Sequence, residues 1–351
     1  MVLLVRPRSR KQAAQRLLLV LSILLPIAIL IALCNGAVPL GLSEALTGLS
    51  QTFGPGKDSQ AAIIIGQIRL PRILLAALIG AILAMSGAAM QGLFRNPLAD
   101  PSLIGVTAGA SLGASIMIVT IGYGMNGLAG LSLVSIGAFV GGLVAVLGVY
   151  RLATSSSGSS VATMLLAGIA ITALAGSISN LLEFQTDNET LRRISLWKMG
   201  GLDGASYERL LVATMTATMV LIALPRYGNA LNALLLGESE ARHLGIDVSR
   251  VKLGLVVWVA AGVGAAVALA GTIAFVGLVV PHITRMLIGP DHRYLLPASA
   301  LTGAILLVLA DTLARVVMAP TELPVGVITA ILGVPFFISL LRRRHQYGMQ
   351  S

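Results

Sequence analysis

The feature that most constrains this chain is a series of long apolar runs separated by short polar segments. A helix that crosses the roughly 30 Å hydrocarbon core of a bilayer needs about 20 mostly apolar residues. Ten stretches meet that requirement: 17–36, 71–93, 102–121, 127–149, 161–184, 207–225, 250–269, 273–289, 294–314 and 324–341. The seventh and eighth form one continuous run that is too long for a single crossing, so we divide it at Ala270-Gly271-Thr272. The pattern predicts an all-α polytopic membrane protein with ten transmembrane helices, in a single domain spanning 1–351.

The composition agrees with a membrane-embedded chain. Of the 351 residues, 56% are hydrophobic and 11% are charged, with a mean hydropathy of +0.91. A soluble domain is usually about one quarter charged, so this balance excludes an ordinary soluble domain. The single cysteine, Cys34, excludes a disulfide within the chain.

Basic residues predict the orientation of the spans. Cytoplasmic segments of membrane proteins are enriched in Lys and Arg, and such clusters precede the first span and recur at Arg342-Arg343-Arg344. An even number of spans puts both termini on one side, which we predict to be the cytoplasm, with 16 of the 24 Lys and Arg residues there. The net charge of +10 then reflects topology and not nucleic-acid binding, because no basic stripe is interleaved with aromatics.

The first apolar run is expected to be an uncleaved span. It is longer than the apolar core of a usual signal peptide. Leu33 is also too large for the position that precedes Cys34 in a lipoprotein cleavage site.

Glycine is frequent inside the spans, with 39 residues in all. Several lie on one helix face at spacings of four or seven residues: Gly109 with Gly113, Gly137 with Gly141, and Gly80 with Gly87. Small residues let helix backbones approach closely in lipid, so close helix packing is the expected role. Lining a pathway for a bulky solute is the alternative.

The spans lack the residues that would power transport from within. Ion-coupled transporters usually carry charged relays inside the membrane, but Glu183 and Asp311 lie near span ends. A Walker A motif fails because Asp58 follows Lys57 where Ser or Thr is required. No catalytic, nucleophilic or metal-ligand constellation emerges, and the four histidines lack ligand spacing. The chain is therefore either a passive channel or a device that takes its energy from a partner.

The longest internal cytoplasmic connection, 226–252, is the segment best suited to receive that energy. Leu231, Leu234 and Leu235 mark a short amphipathic helix that Gly237 ends, and a second helix from Glu238 ends before Gly245. Two short helices of this kind predict either a rigid knob that a soluble partner could push or an interfacial segment that only packs on the bundle.

The stretch FRNPLADPSLIG, 94–105, is polar and stiff between two apolar runs. Pro97 and Pro101 restrict the helices on either side, so a short cytoplasmic turn is expected. The residues alone do not decide between a plain tight turn and a functional element.

Several motifs, read in order, resemble a known family. These are RLPR at 69–72, RNPLADP at 95–101, GESEARHLG at 237–245, GTIAFVGLVVPHITR at 271–285, DHR at 291–293, LADTLAR at 309–315 and ELPVGVITAILGVPFFISLL at 322–341. Together they span nearly the whole chain, which resembles the membrane permeases of ABC importers for vitamin B12, iron–siderophores and haem.

That resemblance implies a type II ABC importer permease fold in the bacterial inner membrane. The permease would work as a homodimer with the pathway at its two-fold axis. Two ATPase subunits would dock on the cytoplasmic side and a periplasmic binding protein on the other. The chain itself would not be an enzyme and would hold no cofactor, because ATP and Mg²⁺ would bind to the ATPases.

The resemblance also implies roles for particular residues. Arg69, Arg72 and Arg315 would pair with glutamates of the binding protein, for which the planar guanidinium is well suited. For Arg69 and Arg72 the alternative is snorkelling at the outer interface, and for Arg315 it is a helical salt bridge with Asp311 four residues earlier.

Two further sets of residues are implied at the cytoplasmic side. The residues that would insert into the ATPase are Gly237, Glu238, Glu240, Ala241, Arg242, His243, Leu244 and Gly245. The cytoplasmic gate would be formed by Asn96, Pro97, Leu98, Val161 and Ala162.

The resemblance implies that the cargo is an iron chelate or a corrinoid. The stretch LRRISLWKMGGL, 191–202, looks slightly more like the haem members, so haem is favoured over an iron–siderophore or cobalamin. Three other classes stay open: an ion-coupled secondary transporter, a structural or receptor-like membrane protein, and a permease of a different ABC import class.

Overall fold

The structure is a computed structural model that describes residues 7–52, 54, 59–121, 128–155 and 158–348. Lys57, Asp58 and the start of the predicted span 127–149 lie outside those residues. The helices are α1 Pro7–Cys34, α2 Leu42–Thr52, α3 Gln60–Ile63, α4 Leu70–Leu93, α5 Val106–Ile121, α6 Leu128–Ala153, α7 Val161–Phe184, α8 Asn188–Lys198, α9 Tyr207–Ala223, α10 Gly228–Leu234, α11 Glu238–His243, α12 Val248–Ala270, α13 Val276–Ile288, α14 His292–Val316 and α15 Val325–Gly348.

Short irregular elements join these helices. A π-helical turn, Ile64–Arg69, connects α3 to α4, and 3₁₀ turns lie at Pro101–Ile104 and Leu224–Tyr227. Between α6 and α7 the strands β1, Thr154–Ser155, and β2, Gly158–Ser159, pair antiparallel.

Seven described helical segments are long and apolar enough to cross a membrane: Arg10–Cys34, Gln60–Leu93, Ser132–Ala153, Val161–Phe184, Tyr207–Leu234, Val248–Ala270 and His292–Val316. Of these, Gln60–Leu93 joins α3, the π-helical turn and α4, and Tyr207–Leu234 joins α9, a 3₁₀ turn and α10. Three more apolar helices are shorter, Val106–Ile121, Val276–Ile288 and Val325–Ser339. Each predicted span overlaps one of these ten, which confirms an all-α polytopic membrane protein. The number of ten crossings is not confirmed, because a 13-residue helix such as α13 rises only about 20 Å.

The centre of the bundle is formed by α4 and its neighbours. In the most apolar stretch of the Gln60–Leu93 span, 83% of residues are buried, against 22% for α1. α4 and α14 run antiparallel and touch through glycine: a Cβ on Gly80 would lie 2.2 Å from the Gly303 carbonyl oxygen. The absence of side chains at Gly80 and Gly303 lets the two backbones approach this closely.

Two of the three glycine pairs predicted for close packing, Gly109 with Gly113 and Gly137 with Gly141, contact each other. A Cβ on Gly113 would lie 2.0 Å from the Gly137 oxygen, and one on Gly141 would lie 2.2 Å from the Gly109 oxygen. These contacts join α5 to α6 and confirm the packing role for all four glycines.

The predicted division of the seventh and eighth spans is also confirmed. α12 ends at Ala270, and Gly271 follows with φ of 68°, a conformation that suits glycine at the end of a helix. The chain then runs without regular structure until α13 begins at Val276.

The antiparallel pair α4 and α14 defines two ends of the bundle. We call the end with Arg69, Arg72, Asp311 and Arg315 the arginine end. The other, where Gly92 on α4 approaches His292 on α14, is called the loop end; it carries residues 94–105, α10 and α11. The charge distribution predicts that the loop end faces the cytoplasm.

Candidate functional site

At the arginine end, one buried carboxylate binds two arginines. Asp311 on α14 is fully buried. It accepts hydrogen bonds from Arg72 Nε on α4 at 2.9 and 3.2 Å, and Arg72 Nη2 lies 2.9 Å from Oδ1. Arg315 Nε lies 3.1 Å from Oδ2, an ion pair that lacks hydrogen-bond geometry. The helical pair predicted as an alternative for Arg315 is therefore present, but Arg72 shares its carboxylate.

A second carboxylate completes the charge balance. Glu322, between α14 and α15, accepts a hydrogen bond from Arg72 Nη1 at 2.5 Å. Arg315 also donates to the carbonyl oxygens of Asn35 and Ala32 at 3.2 and 3.3 Å. Two arginines and two carboxylates thus form a neutral cluster that ties α14 to α4, to the end of α1 and to the segment before α15.

Arg69 is held differently. Its guanidinium donates to the carbonyl oxygens of Leu33 and Val38, and Gly36 leaves room for it, since a Cβ there would lie 2.9 Å from Nη2. Only 4% of Arg69, 6% of Arg72 and 4% of Arg315 is exposed in this chain. None of the three snorkels into open solvent, and their proposed contact with a binding protein stays a prediction.

The segment after α4 turns sharply at the loop end. Arg95 takes a left-handed φ of 49°, and Asn96 N donates to Gln91 O at 3.1 Å, which closes α4. Asn96 Oδ1 then accepts from Leu98 N at 3.0 Å. Asn96 is exposed, whereas Pro97 and Leu98 are half-buried. The predicted short, stiff turn is confirmed.

The other predicted gate residues open α7. Ser160 caps the helix by accepting from Thr163 N at 3.3 Å, and Val161 is half-buried beside the exposed Ala162. Seven residues further along, Gly168 touches the turn after 94–100: a Cβ there would lie 1.8 Å from Leu103 O. The two gate segments are thus linked through α7, and their gating role stays a prediction.

The predicted pair of short helices is present at the loop end as α10 and α11. Gly237 separates them with φ of 133°, and a Cβ there would clash with Glu240 at 2.1 Å. Gly245 ends α11 with φ of 81°, while Ile246 N donates to Ala241 O at 3.1 Å. This is the hydrogen-bond pattern of a Schellman cap, which only a residue tolerant of left-handed backbone completes without strain.

α11 presents a polar face and rests on an apolar one. Ala241 is fully buried in a small cluster with Ala233, Leu234 and Val248. The exposed residues are Ser239, Glu240, Arg242, His243, Leu244 and Gly245, whereas Gly237 is buried and Glu238 is half-buried. An exposed leucine, 65% accessible, beside charged residues is suited to contact another protein.

Partly buried polar contacts attach this pair of helices to the bundle. Glu238 Oε1 lies 2.6 Å from Nζ of Lys252, a buried residue of α12. Asn232 on α10 donates to Asp291 at 2.7 Å and accepts from the His292 backbone at 2.8 Å. A displacement of α10 and α11 together would therefore pull on both α12 and the start of α14.

The Asp291 carboxyl group that takes part in this link is held in its charged form. Hydrogen bonds from Arg293, with a contribution from Asn232, lower the pKa of the Asp291 carboxyl to about 2. The carboxylate remains charged throughout the physiological range.

Two cavities flank the segment 270–275. One of about 910 Å³ is lined by Ser111, Gly168, Thr172, Phe275 and other residues of α5, α7 and α13. The second, of about 640 Å³, lies at the arginine end between α8, α9 and the segment before α15. Its lining includes Arg72, Arg192, Arg193, Trp197 and Arg209.

Sequence reasoning missed most of these partners. The missed pairs are Arg72 with Glu322, Glu238 with Lys252, and Asn232 with Asp291, whose members lie 14 to 250 positions apart in sequence. No local pattern predicts such pairs. One signal was available: a lone Asp311 in an apolar span requires a cationic partner. Among the described residues, no cluster of three or more His, Cys, Asp or Glu side chains could hold a metal ion.

A bundle of apolar helices, with an exposed helical pair tied to its core at one end, defines a polytopic membrane permease. Residues 24–343 match the FecCD transport family, and the chain belongs to that family. It is therefore a membrane permease subunit of the ABC importers for iron chelates and vitamin B12, with the type II importer permease fold, as its resemblance predicted.

Individual relatives support this assignment. The chain is 47% identical over 279 residues to the hemin transport system permease protein HmuU of Yersinia pestis, covering 80% of this chain and 83% of that protein. It is 45% identical over 292 residues to the cobalamin import permease BtuC of Halobacterium salinarum, covering 82% and 76%. A solved metal-chelate type ABC transporter in an inward-facing conformation superposes with a TM-score of 0.82 at 32% identity, over 94% of this chain and 99% of that one.

Proposed function

We propose that this chain is the permease of an importer that moves haem from the periplasm to the cytoplasm, driven by a separate ATPase. Two copies would form the pathway, two ATPase subunits would bind at the loop end, and a binding protein would deliver cargo at the arginine end. An iron–siderophore or cobalamin permease of the same family is the alternative.

The observation that carries the choice of haem is the lining of the 640 Å³ cavity. The stretch 191–202, singled out in the sequence for its likeness to haem permeases, supplies Arg192, Arg193, Leu196 and Trp197 to that lining. Haem combines a flat apolar ring with two carboxylates. The lining holds four arginines against two carboxylates, Asp203 and Glu322, and arginines beside an apolar wall suit both parts of haem. Cobalamin carries neutral amides around its corrin ring, which gives arginine less to bind.

The mechanism follows from the loop end. ATP binding would close the two ATPases on the exposed face of α11, and Lys252 and Asp291 would transmit that motion to α12 and α14. The residues 96–98 and 161–162 would open in response. Affinity would come mainly from the binding protein, and beyond the arginine-lined cavity a pathway with small, apolar walls would let the ligand pass without trapping it.

Uptake into vesicles tests this function. The permease, its ATPase and its binding protein would be reconstituted and offered haemin, a ferric siderophore or cobalamin. We expect ATP-dependent accumulation of haemin that persists when the proton gradient is collapsed. Accumulation of cobalamin without haemin would refute the cargo, and loss of uptake on collapsing the gradient would favour an ion-coupled transporter.

A further inference from the structure

A small basic cavity lies at the loop end, apart from α10 and α11. It has a volume of about 350 Å³ and is lined by Arg10 and Ala13 of α1 together with Arg285, Met286, Leu287, Ile288, Gly289 and Pro290 at the end of α13. Gly289 ends α13 with φ of 89°, and its missing side chain leaves space beside Arg10, whose Nη1 would lie 4.0 Å from a Cβ. The cavity therefore forms where two helix ends meet.

The charge in this cavity is uncompensated by protein. Its lining holds two guanidinium groups and no carboxylate. Arg285 Nη2 donates to Gln91 Oε1 at 3.1 Å, but the buried Arg285 Nε has no hydrogen-bond partner among the described residues. Among the described residues, no carboxylate lies within ion-pair distance of Arg10 or Arg285. A buried donor without a partner destabilises the fold unless a ligand satisfies it.

An apolar stripe leads away from the cavity along α1. Arg10 and Ala13 share a helical face with residues 17, 20, 24, 27 and 31, spaced three and four positions apart. On that face Val20, Leu24, Ile27 and Ile31 are exposed by 43–46%. Met286 and Leu287, beside the cavity, are each 62% exposed. Such surfaces in a membrane protein face acyl chains.

We propose that this cavity binds the phosphate of an anionic phospholipid, with an acyl chain along the α1 stripe. Two guanidinium groups can hold phosphate oxygens in a bidentate manner. Basic pockets between transmembrane helices at a membrane interface are suited to anionic lipid headgroups. The phosphate would balance the charges of Arg10 and Arg285 and fasten the start of α1 to the end of α13.

Lipid titration of the purified full-length chain tests the proposal. The delipidated protein in detergent would be titrated with dioleoyl phosphatidylglycerol, dihexanoyl phosphatidylglycerol, dioleoyl phosphatidylcholine or inorganic phosphate, and bound states counted by native mass spectrometry. We expect Arg285→Gln and Arg10→Gln each to weaken binding of the long-chain anionic lipid about fivefold. Arg226→Gln, which removes an exposed charge at the same end, should leave it unchanged.

Each remaining result decides the proposal. Tighter binding of phosphatidylglycerol than of phosphatidylcholine, and of the long-chain than of the short-chain form, would support it. Equal binding of the two headgroups, or unchanged binding by both arginine variants, would overturn it. Inorganic phosphate that binds as tightly as the lipid would assign the cavity to a free anion. Because Arg10 is exposed, its variant should fold normally and keep the test valid if Arg285→Gln does not.

Discussion

Arg72 and Asp311 are 239 positions apart in sequence, yet the guanidinium Nε of one donates to both carboxylate oxygens of the other. The contact joins α4 to α14 at the arginine end, where both side chains are buried. A buried charge without its partner is strongly destabilising. The pair therefore fixes the relative position of the two central helices.

Replacing Asp311 should destabilise the protein markedly. Asp311→Asn removes the charge that compensates both Arg72 and Arg315, and loss of a buried partner costs about 3–5 kcal/mol. We expect a lower thermal unfolding midpoint in detergent. Glu322→Gln is the matched control, because the Glu322 side chain is 38% exposed and water can replace it. Equal midpoints for wild type and Asp311→Asn would show that the cluster does not hold α4 to α14.

The glycine contact between the same helices gives a second prediction. Gly80→Ala would force a methyl group against the Gly303 carbonyl, where the backbone cannot move aside easily. Overpacking typically costs about 1–3 kcal/mol, so the midpoint should fall. Gly176→Ala is the control: it lies within α7 with nothing within 4 Å of its added Cβ. If both variants unfolded at one temperature, close backbone contact would not be what Gly80 provides.

Much of this architecture could be predicted from the sequence because its causes are local. Apolar runs of sufficient length marked the spans, Gly271 marked the break after α12, and Gly237 with Gly245 bounded α11. The amphipathic helices α2 and α8 were missed because their hydropathy is too low and their length too short for a membrane span. A hydropathy profile detects long apolar runs, so it does not reveal short amphipathic helices at the ends of a bundle.

The candidate site was less predictable because its contacts are distant in sequence. Arg72 was singled out by motif, but a single sequence gives no sign that it pairs with Asp311 and Glu322. The same is true of Glu238 with Lys252, which joins α11 to α12. Motif resemblance singled out the residues, and apart from the helical pair of Asp311 with Arg315, only the three-dimensional arrangement supplied their partners.

The exposed face of α11 should be required for coupling. We expect Glu240→Ala with Arg242→Ala to lower the amount of cargo imported per ATP hydrolysed by the reconstituted complex, because these side chains would contact the ATPase. Arg250→Ala is the control, since Arg250 is exposed on α12 and lies beyond the helical pair. Uptake per ATP that is unchanged in the double variant would argue against force transmission through α11.

The link through Asp291 has a defined pH dependence. Its pKa is lowered to about 2 in the folded protein, so the charged form stabilises the fold above the unfolded pKa of about 4. That contribution is lost as pH falls through about 2. The difference in thermal midpoint between wild type and Asp291→Asn should therefore be constant from pH 7 to about 4.5 and shrink below it. A difference that disappeared already near pH 6 would contradict the assignment.

Docking of the binding protein gives the last prediction. Arg69 and Arg72 are buried and hydrogen-bonded, so reversing their charge would disturb the fold as well as any docking. Glu322→Gln is a sharper change, because it removes the carboxylate that competes for Arg72 Nη1 while leaving Asp311 in place. If glutamates of the binding protein pair with Arg72, this variant should bind the binding protein more tightly, and the gain in affinity should diminish in high salt.

Glu44→Gln is the control for the loss of one negative charge. Glu44 lies on α2 and its carboxylate accepts a hydrogen bond from Gly41 N, so this variant should change the affinity less. Surface plasmon resonance on the detergent-solubilised permease would measure both, and an unchanged affinity for Glu322→Gln would confine Arg72 to a structural role.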